Sequence, residues 1–163
     1  MQRLLAEQDQ QATSIDLDDA LGPMLDLQRL KGRRVELHSS GDSVLARYDT
    51  LAEVINILID NAATHGGCED SLVEVQRHDD TVDITITDLG RGIPEGQRDE
   101  IFAWGHRGSD STGEGIGLHV AQRLMTEDGG SLRLSNPPEV GSAFVISLPA
   151  ARRSTENHEP SEV

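Results

Sequence analysis

Glycines occupy every second position in Gly113-Glu114-Gly115-Ile116-Gly117-Leu118. That spacing suits neither a strand nor a helix interior; it makes a loop whose backbone can approach another molecule closely. Directly afterwards the pattern turns helical, with Val120, Ala121, Leu124 and Met125 on one face. A glycine loop that opens a helix leaves free N–H groups at the positive end of the helix dipole, a cradle for phosphate oxygens. Alone, the same run reads more readily as a flexible surface turn. A second chemistry-bearing stretch is Asp88-Leu89-Gly90-Arg91-Gly92-Ile93-Pro94. Val82, Ile84 and Ile86 alternate along one side of a strand, and parity puts Asp88 on that same apolar side. A carboxylate there needs a partner, because burying an unpaired charge is costly. The other reading is that the strand has ended and Asp88 only starts the Gly90 turn.

The elements that must hold these residues follow from periodicity. Asp16 or Asp18 caps a helix running to Leu30, stopped by Gly32, with Pro23 expected to kink or shorten it. Arg33–His38 and Ser43–Arg47 read as short strands about a Ser39–Asp42 turn. The clearest helix begins at Asp49, with Thr50 and Glu53 in a capping-box pattern. Leu51, Val54, Ile55, Leu58, Ile59 and Ala62 form its apolar face, and Gly66-Gly67 ends it. Asn61 lies off that face, on a stripe with Glu53, Ile57 and His65. Strands follow at Leu72–Arg77 and Val82–Asp88, then a short helix at Glu95–Ile101. The Gly- and Ser-rich stretch from Trp104 to Gly117 is long for a connection and reads as a functional lid or as disorder. A helix from Ile116 to about Glu127 and strands at Ser131–Ser135 and Ala143–Leu148 complete the core.

A chain of 163 residues suits one domain with a proper core. Its formal net charge of −15 argues against nucleic acid or an anionic membrane as partner. Lys31 is the only lysine, so positive charge is almost all arginine. The single cysteine, Cys68, excludes an intrachain disulfide and fits a reducing compartment. No run of about 18 apolar residues occurs in the sequence.

Taken together, Asn61 near a helix end, Asp88-x-Gly90-x-Gly92, Ile101-Phe102 and Gly113-x-Gly115-x-Gly117-Leu118 stand in the order of the N, G1, F and G2 boxes. The chain resembles the catalytic, ATP-binding domain of a bacterial sensor histidine kinase, in the GHKL superfamily with gyrase B, Hsp90 and MutL. The likeness covers roughly residues 16–150, and the closing Gly141-Ser142-Ala143-Phe144 to Leu148-Pro149 resembles the last strand of such domains. It implies an α/β (α+β) fold of the Bergerat type, a two-layer sandwich with a mixed sheet against about three helices. Residues 1–15 are then the end of an upstream dimerisation helix or a disordered lead-in, 16–150 the catalytic domain, and 151–163 a disordered tail.

The resemblance also implies roles. Asp88 accepts from the adenine amine, Gly90 and Gly92 let the ring lie on the backbone, and Ile93 packs on the base. His65 stands where the family often has an aromatic residue. Asn61 ligates Mg²⁺, which bridges phosphate oxygens. Gly113, Gly115, Gly117 and the amide of Leu118 cradle phosphates, Phe102 pins the lid, and Arg107 reaches the polyphosphate. Asn61 and Arg107 are thus the catalytic candidates, and ATP with Mg²⁺ the cofactors. Implied partners are the kinase's own dimerisation and histidine-phosphotransfer domain and a response regulator, with no nucleic acid. The expected location is cytoplasmic, as part of a membrane-bound kinase that reaches the membrane only through upstream segments.

Two positions depart from the family pattern. Ile57 stands where an Asn is common, and where gyrase-like relatives carry a water-activating Glu; Thr64 stands where a basic residue is common. Fast ATP hydrolysis by this domain alone is therefore not expected. None of His38, His65, His78, His106, His119 and His158 has the context of an acceptor histidine. The chain is therefore expected to be the nucleotide-holding part of a larger kinase. The rival readings are an anti-sigma-factor-type serine kinase on the same fold and a catalytically weak nucleotide-sensing module.

Overall fold

The computed structural model describes residues 11–65, 69–90, 96, 101–102, 117–135 and 141–151. Strand β1 spans Thr13–Asp16, so the end of the stretch read as a lead-in is extended chain paired with another strand. Asp16 then caps helix α1 (Leu17–Leu30), its carboxylate accepting the N–H groups of Asp18 and Asp19. Pro23 does not break this helix, and α1 continues through it. Gly32, at φ +93°, ends α1: Gly32 N–H donates to Arg29 O and Arg33 N–H to Gln28 O, a Schellman arrangement.

Strands β2 (Arg34–His38) and β3 (Ser43–Ala46) flank the expected turn, but they do not pair with each other. β3 pairs antiparallel with β1 in a two-stranded sheet, whereas β2 lies parallel to β4 in the main sheet. Helix α2 (Tyr48–His65) begins with Leu51 N–H donating to Arg47 O at 2.9 Å. Thr50 therefore lies inside the helix, and the expected capping box does not form its start.

Strands β4 (Asp70–His78), β5 (Thr81–Asp88), β6 (Ser131–Leu134) and β7 (Ser142–Pro149) join β2 in a five-stranded mixed sheet of order β2-β4-β5-β7-β6. Helix α3 (Gly117–Glu127) precedes β6. The apolar faces meet in one core. Leu51, Val54, Ile55, Leu58 and Ile59 of α2 join Val73 and Val75 of β4, Val82, Ile84 and Ile86 of β5, and Ile146 and Leu148 of β7. Leu17, Leu21 and Leu25 of α1 and Ala121 and Met125 of α3 complete it. Among the described residues the architecture is therefore the expected one, three helices packed on a mixed sheet. The expected helix at Glu95–Ile101 and the Trp104–Gly117 stretch lie almost wholly outside the described residues.

Candidate functional site

The strand reading of Asp88 holds, and the reading in which the strand has already ended does not. Asp88 is the last residue of β5 and is buried at 4% exposure on the apolar side. Its Oδ1 accepts the N–H of Gly90 at 2.8 Å, so it also shapes the turn. Its Oδ2 accepts the hydroxyl of Ser142 at 2.7 Å, from the residue directly opposite on β7. A carboxylate offers about four acceptor positions, so two donors hold the group in place and leave capacity for a ligand. Gly141, at φ +88°, lies against the Asp88 carbonyl, where any side chain would collide. The close approach of these two backbones fixes Ser142 beside Asp88.

A path of contacts and of neighbours along the chain leads from Asp88 to Asn61. Phe144 lies two residues beyond Ser142, on the same face of β7. Its ring meets that of Phe102 edge to face, with centroids 6.0 Å apart. The Phe102 carbonyl lies 3.2 Å from Nδ1 of His119, in the first turn of α3. At the start of α3, a Cβ on Gly117 would sit only 3.3 Å from Cγ2 of Ile57 on α2. One helical turn beyond Ile57 is Asn61, half-buried, about 6 Å further along the axis. Asn61 is thus carried past the N-terminal end of α3, the positive end of that helix's dipole.

Placed this way are Asn61, Asp88, Gly90, Phe102, Gly117 and Leu118, the last half-buried against the core. Gly92, Ile93, Arg107, Gly113, Gly115 and the side chain of His65 lie outside the described residues.

The chain has counterparts among known proteins. Residues 46–152 match the family described as histidine kinase-, DNA gyrase B-, and HSP90-like ATPase. The chain belongs to this ATPase family. Among curated relatives, the adaptive-response sensory kinase SasA of Prochlorococcus marinus (strain MIT 9303) is 29% identical over 153 residues, 86% of this chain and 41% of the relative. That of Synechococcus sp. (strain CC9311) is 31% identical over 137 residues, 77% of this chain and 36% of the relative. The chain thus spans about two fifths or less of the length of these relatives. Among solved structures, the ATP binding domain of PrrB from Mycobacterium tuberculosis is 26% identical with a TM-score of 0.73, covering 87% of this chain and 99% of that one. The mycobacterial sensor histidine kinase MprB, at 24% identity, shares the fold with a TM-score of 0.75, over 87% of this chain and 99% of that one.

Within this histidine kinase-like ATPase fold, Ser142 is the contact that sequence reasoning missed. The Gly141-Ser142 pair was legible, but only strand register places it opposite Asp88. Asn56, one residue from the position usual for a second Asn, is turned away from the site. Its Oδ1 accepts Nε2 of the fully buried Gln28 at 2.8 Å, and Arg33 donates to Gln28 Oε1 at 2.6 Å. Arg33 and Lys31 both reach Asp60 on the same side of α2. Ile57, in the usual Asn position, packs on the glycine that opens α3.

Proposed function

We propose that this chain is the Mg-ATP-holding catalytic domain, about residues 16–150, of a sensor histidine kinase. In this reading it presents the γ-phosphoryl group to a histidine on a separate dimerisation domain, from which the group passes to a response regulator. The observation that supports the proposal best is the buried acceptor Asp88, pinned by Ser142 and Gly90, on a sheet whose Phe144 is linked through Phe102 and His119 to the start of α3 beside Ile57.

The residues fit the group. Asp88 is held by Ser142 and Gly90 with acceptor capacity spare, which suits the exocyclic amine of adenine. Asn61 offers an amide oxygen for Mg²⁺ beside the helix end, and the first N–H groups of α3 suit phosphate oxygens. Bound Mg²⁺ would supply charge neutralisation of the polyphosphate. The protein's own work is to orient: Asp88 and the Gly90 turn fix the base, while α2 and α3 fix the phosphate end. Gly92, Ile93, Arg107, Gly113, Gly115 and His65 take the remaining contacts in this proposal. Ile57 carries no group able to activate water, so the domain suits transfer to a presented side chain better than hydrolysis.

The test is to mix the protein with the dimerisation segment of its parent kinase and γ-labelled ATP. Acid-labile phosphohistidine on that segment is the expected product. Acid-stable phosphoserine, or no transfer although nucleotide binds, contradicts the proposal.

A further inference from the structure

Helices α2 and α3 lie side by side and antiparallel, and they meet at two points about one helix-length apart. At one end Gly117 abuts Ile57. At the other, Asp128, the residue after α3, meets Arg47, the residue before α2. Arg47 Nε donates to Asp128 Oδ1 at 2.5 Å, and Arg47 N–H donates to Oδ2 at 3.1 Å. The Asp128 side chain is 1% exposed and that of Arg47 19%. The eleven residues of α3 span about 16 Å, and Tyr48 to Ile57 about 15 Å, so the two contacts together fix how far α3 slides along α2.

The charge of Asp128 matters to this geometry. A carboxylate at the C-terminal end of α3 is disfavoured by that helix's dipole, but at the N-terminal end of α2 it is favoured. Arg47 neutralises it, and the Arg47 carbonyl accepts the first hydrogen bond of α2. Asp128 is itself anchored. Gly129 N–H donates to Thr126 O and Gly130 N–H to Met125 O, closing α3, and Gly130 packs on the Ser147 carbonyl with no room for a side chain. A fixed point on the sheet is thereby joined to the start of the helix that carries Asn61.

We propose that the Arg47–Asp128 pair is a positioning device for the phosphate end of the nucleotide site. It holds the N–H groups at the start of α3 at the distance from Asn61 that a magnesium-bound polyphosphate requires, and it leaves the adenine end untouched. This inference rests on the nucleotide reading above. Neither residue touches the ligand; both act through the helices they join.

The experiment measures the affinity of the folded protein for Mg-ATP and for adenosine, in wild type and in Asp128→Asn, Arg47→Lys and Glu127→Gln. Glu127 is the control, since it is half-exposed and only 3.9 Å from Arg47. Asp128→Asn and Arg47→Lys are expected to weaken Mg-ATP binding about fivefold and leave adenosine binding within about twofold, and Glu127→Gln to change neither. Equal loss for both ligands, no loss for either, or failure of both variants to fold by circular dichroism overturns the inference. Wild-type protein that binds neither ligand overturns the nucleotide reading itself, and this inference with it.

Discussion

The Ser142 hydroxyl donates to Asp88 Oδ2 at 2.7 Å across neighbouring strands, with both residues buried. A hydrogen bond to a charged acceptor is worth about 1.5–3 kcal/mol when its removal leaves the charge short of a donor. Ser142→Ala is expected to lower unfolding stability by about that amount. It should also weaken adenine nucleotides by about tenfold, because the carboxylate loses one of the two donors that hold it in place. Calorimetric titration with ADP, alongside denaturant unfolding, checks both. A stability loss with unchanged affinity would mean that Ser142 supports the strand pair and not the site.

Asn56 and Asn61 differ by five positions on one helix and should respond oppositely. Asn56→Ala removes the acceptor of buried Gln28 Nε2 and is expected to cost about 1–3 kcal/mol of stability, with nucleotide affinity unchanged. Asn61→Ala is expected to leave the melting temperature nearly unchanged and to weaken Mg-ATP by tenfold or more, about 1.4 kcal/mol. Thermal unfolding and Mg-ATP titration of both variants decide. If Asn56→Ala abolishes Mg-ATP binding in a folded protein, the assignment of the two amides is reversed.

Gly117 and Ile57 should be coupled. A Cβ at Gly117 would meet Ile57 Cγ2 at 3.3 Å, closer than a comfortable contact, so Gly117→Ala is expected to push the start of α3 away from α2. The expected cost is about threefold in Mg-ATP affinity, restored when Ile57→Ala removes the opposing methyl. A double-mutant cycle on Mg-ATP affinity measures this; purely additive effects would show that the contact does not set the helix position.

The apolar face of α2 is legible from sequence because periodicity is local: all six expected positions, Leu51 to Ala62, are buried. The parity of Asp88 is legible for the same reason. Pairing is not. Nothing local in Arg34–His38 and Ser43–Ala46 tells that one joins the main sheet and the other pairs with Thr13–Asp16. The Thr50 box misleads because the tertiary contact of Arg47 with Asp128, 81 residues away, sets the start of α2 instead. Within the site, Asn61, Asp88 and the glycine opening α3 stand out by type and spacing, whereas Ser142 needs the register of β7 and Gln28 needs the packing of α1. Pro23 shows a propensity rule overridden, since α1 buries Leu21, Met24 and Leu25 on both sides of the proline.

The central claim is that one nucleotide joins the strand end at Asp88 to the helix end at Gly117. The most direct test is a backbone amide titration of isotope-labelled protein with a magnesium-bound, non-hydrolysable ATP analogue. The predicted result is one saturable set of shifts that includes Asn61, Asp88, Gly90, Gly117, Leu118 and Ser142, with the β2 edge at Arg34–His38 silent. Shifts confined to other surfaces, or none at millimolar nucleotide, would contradict it.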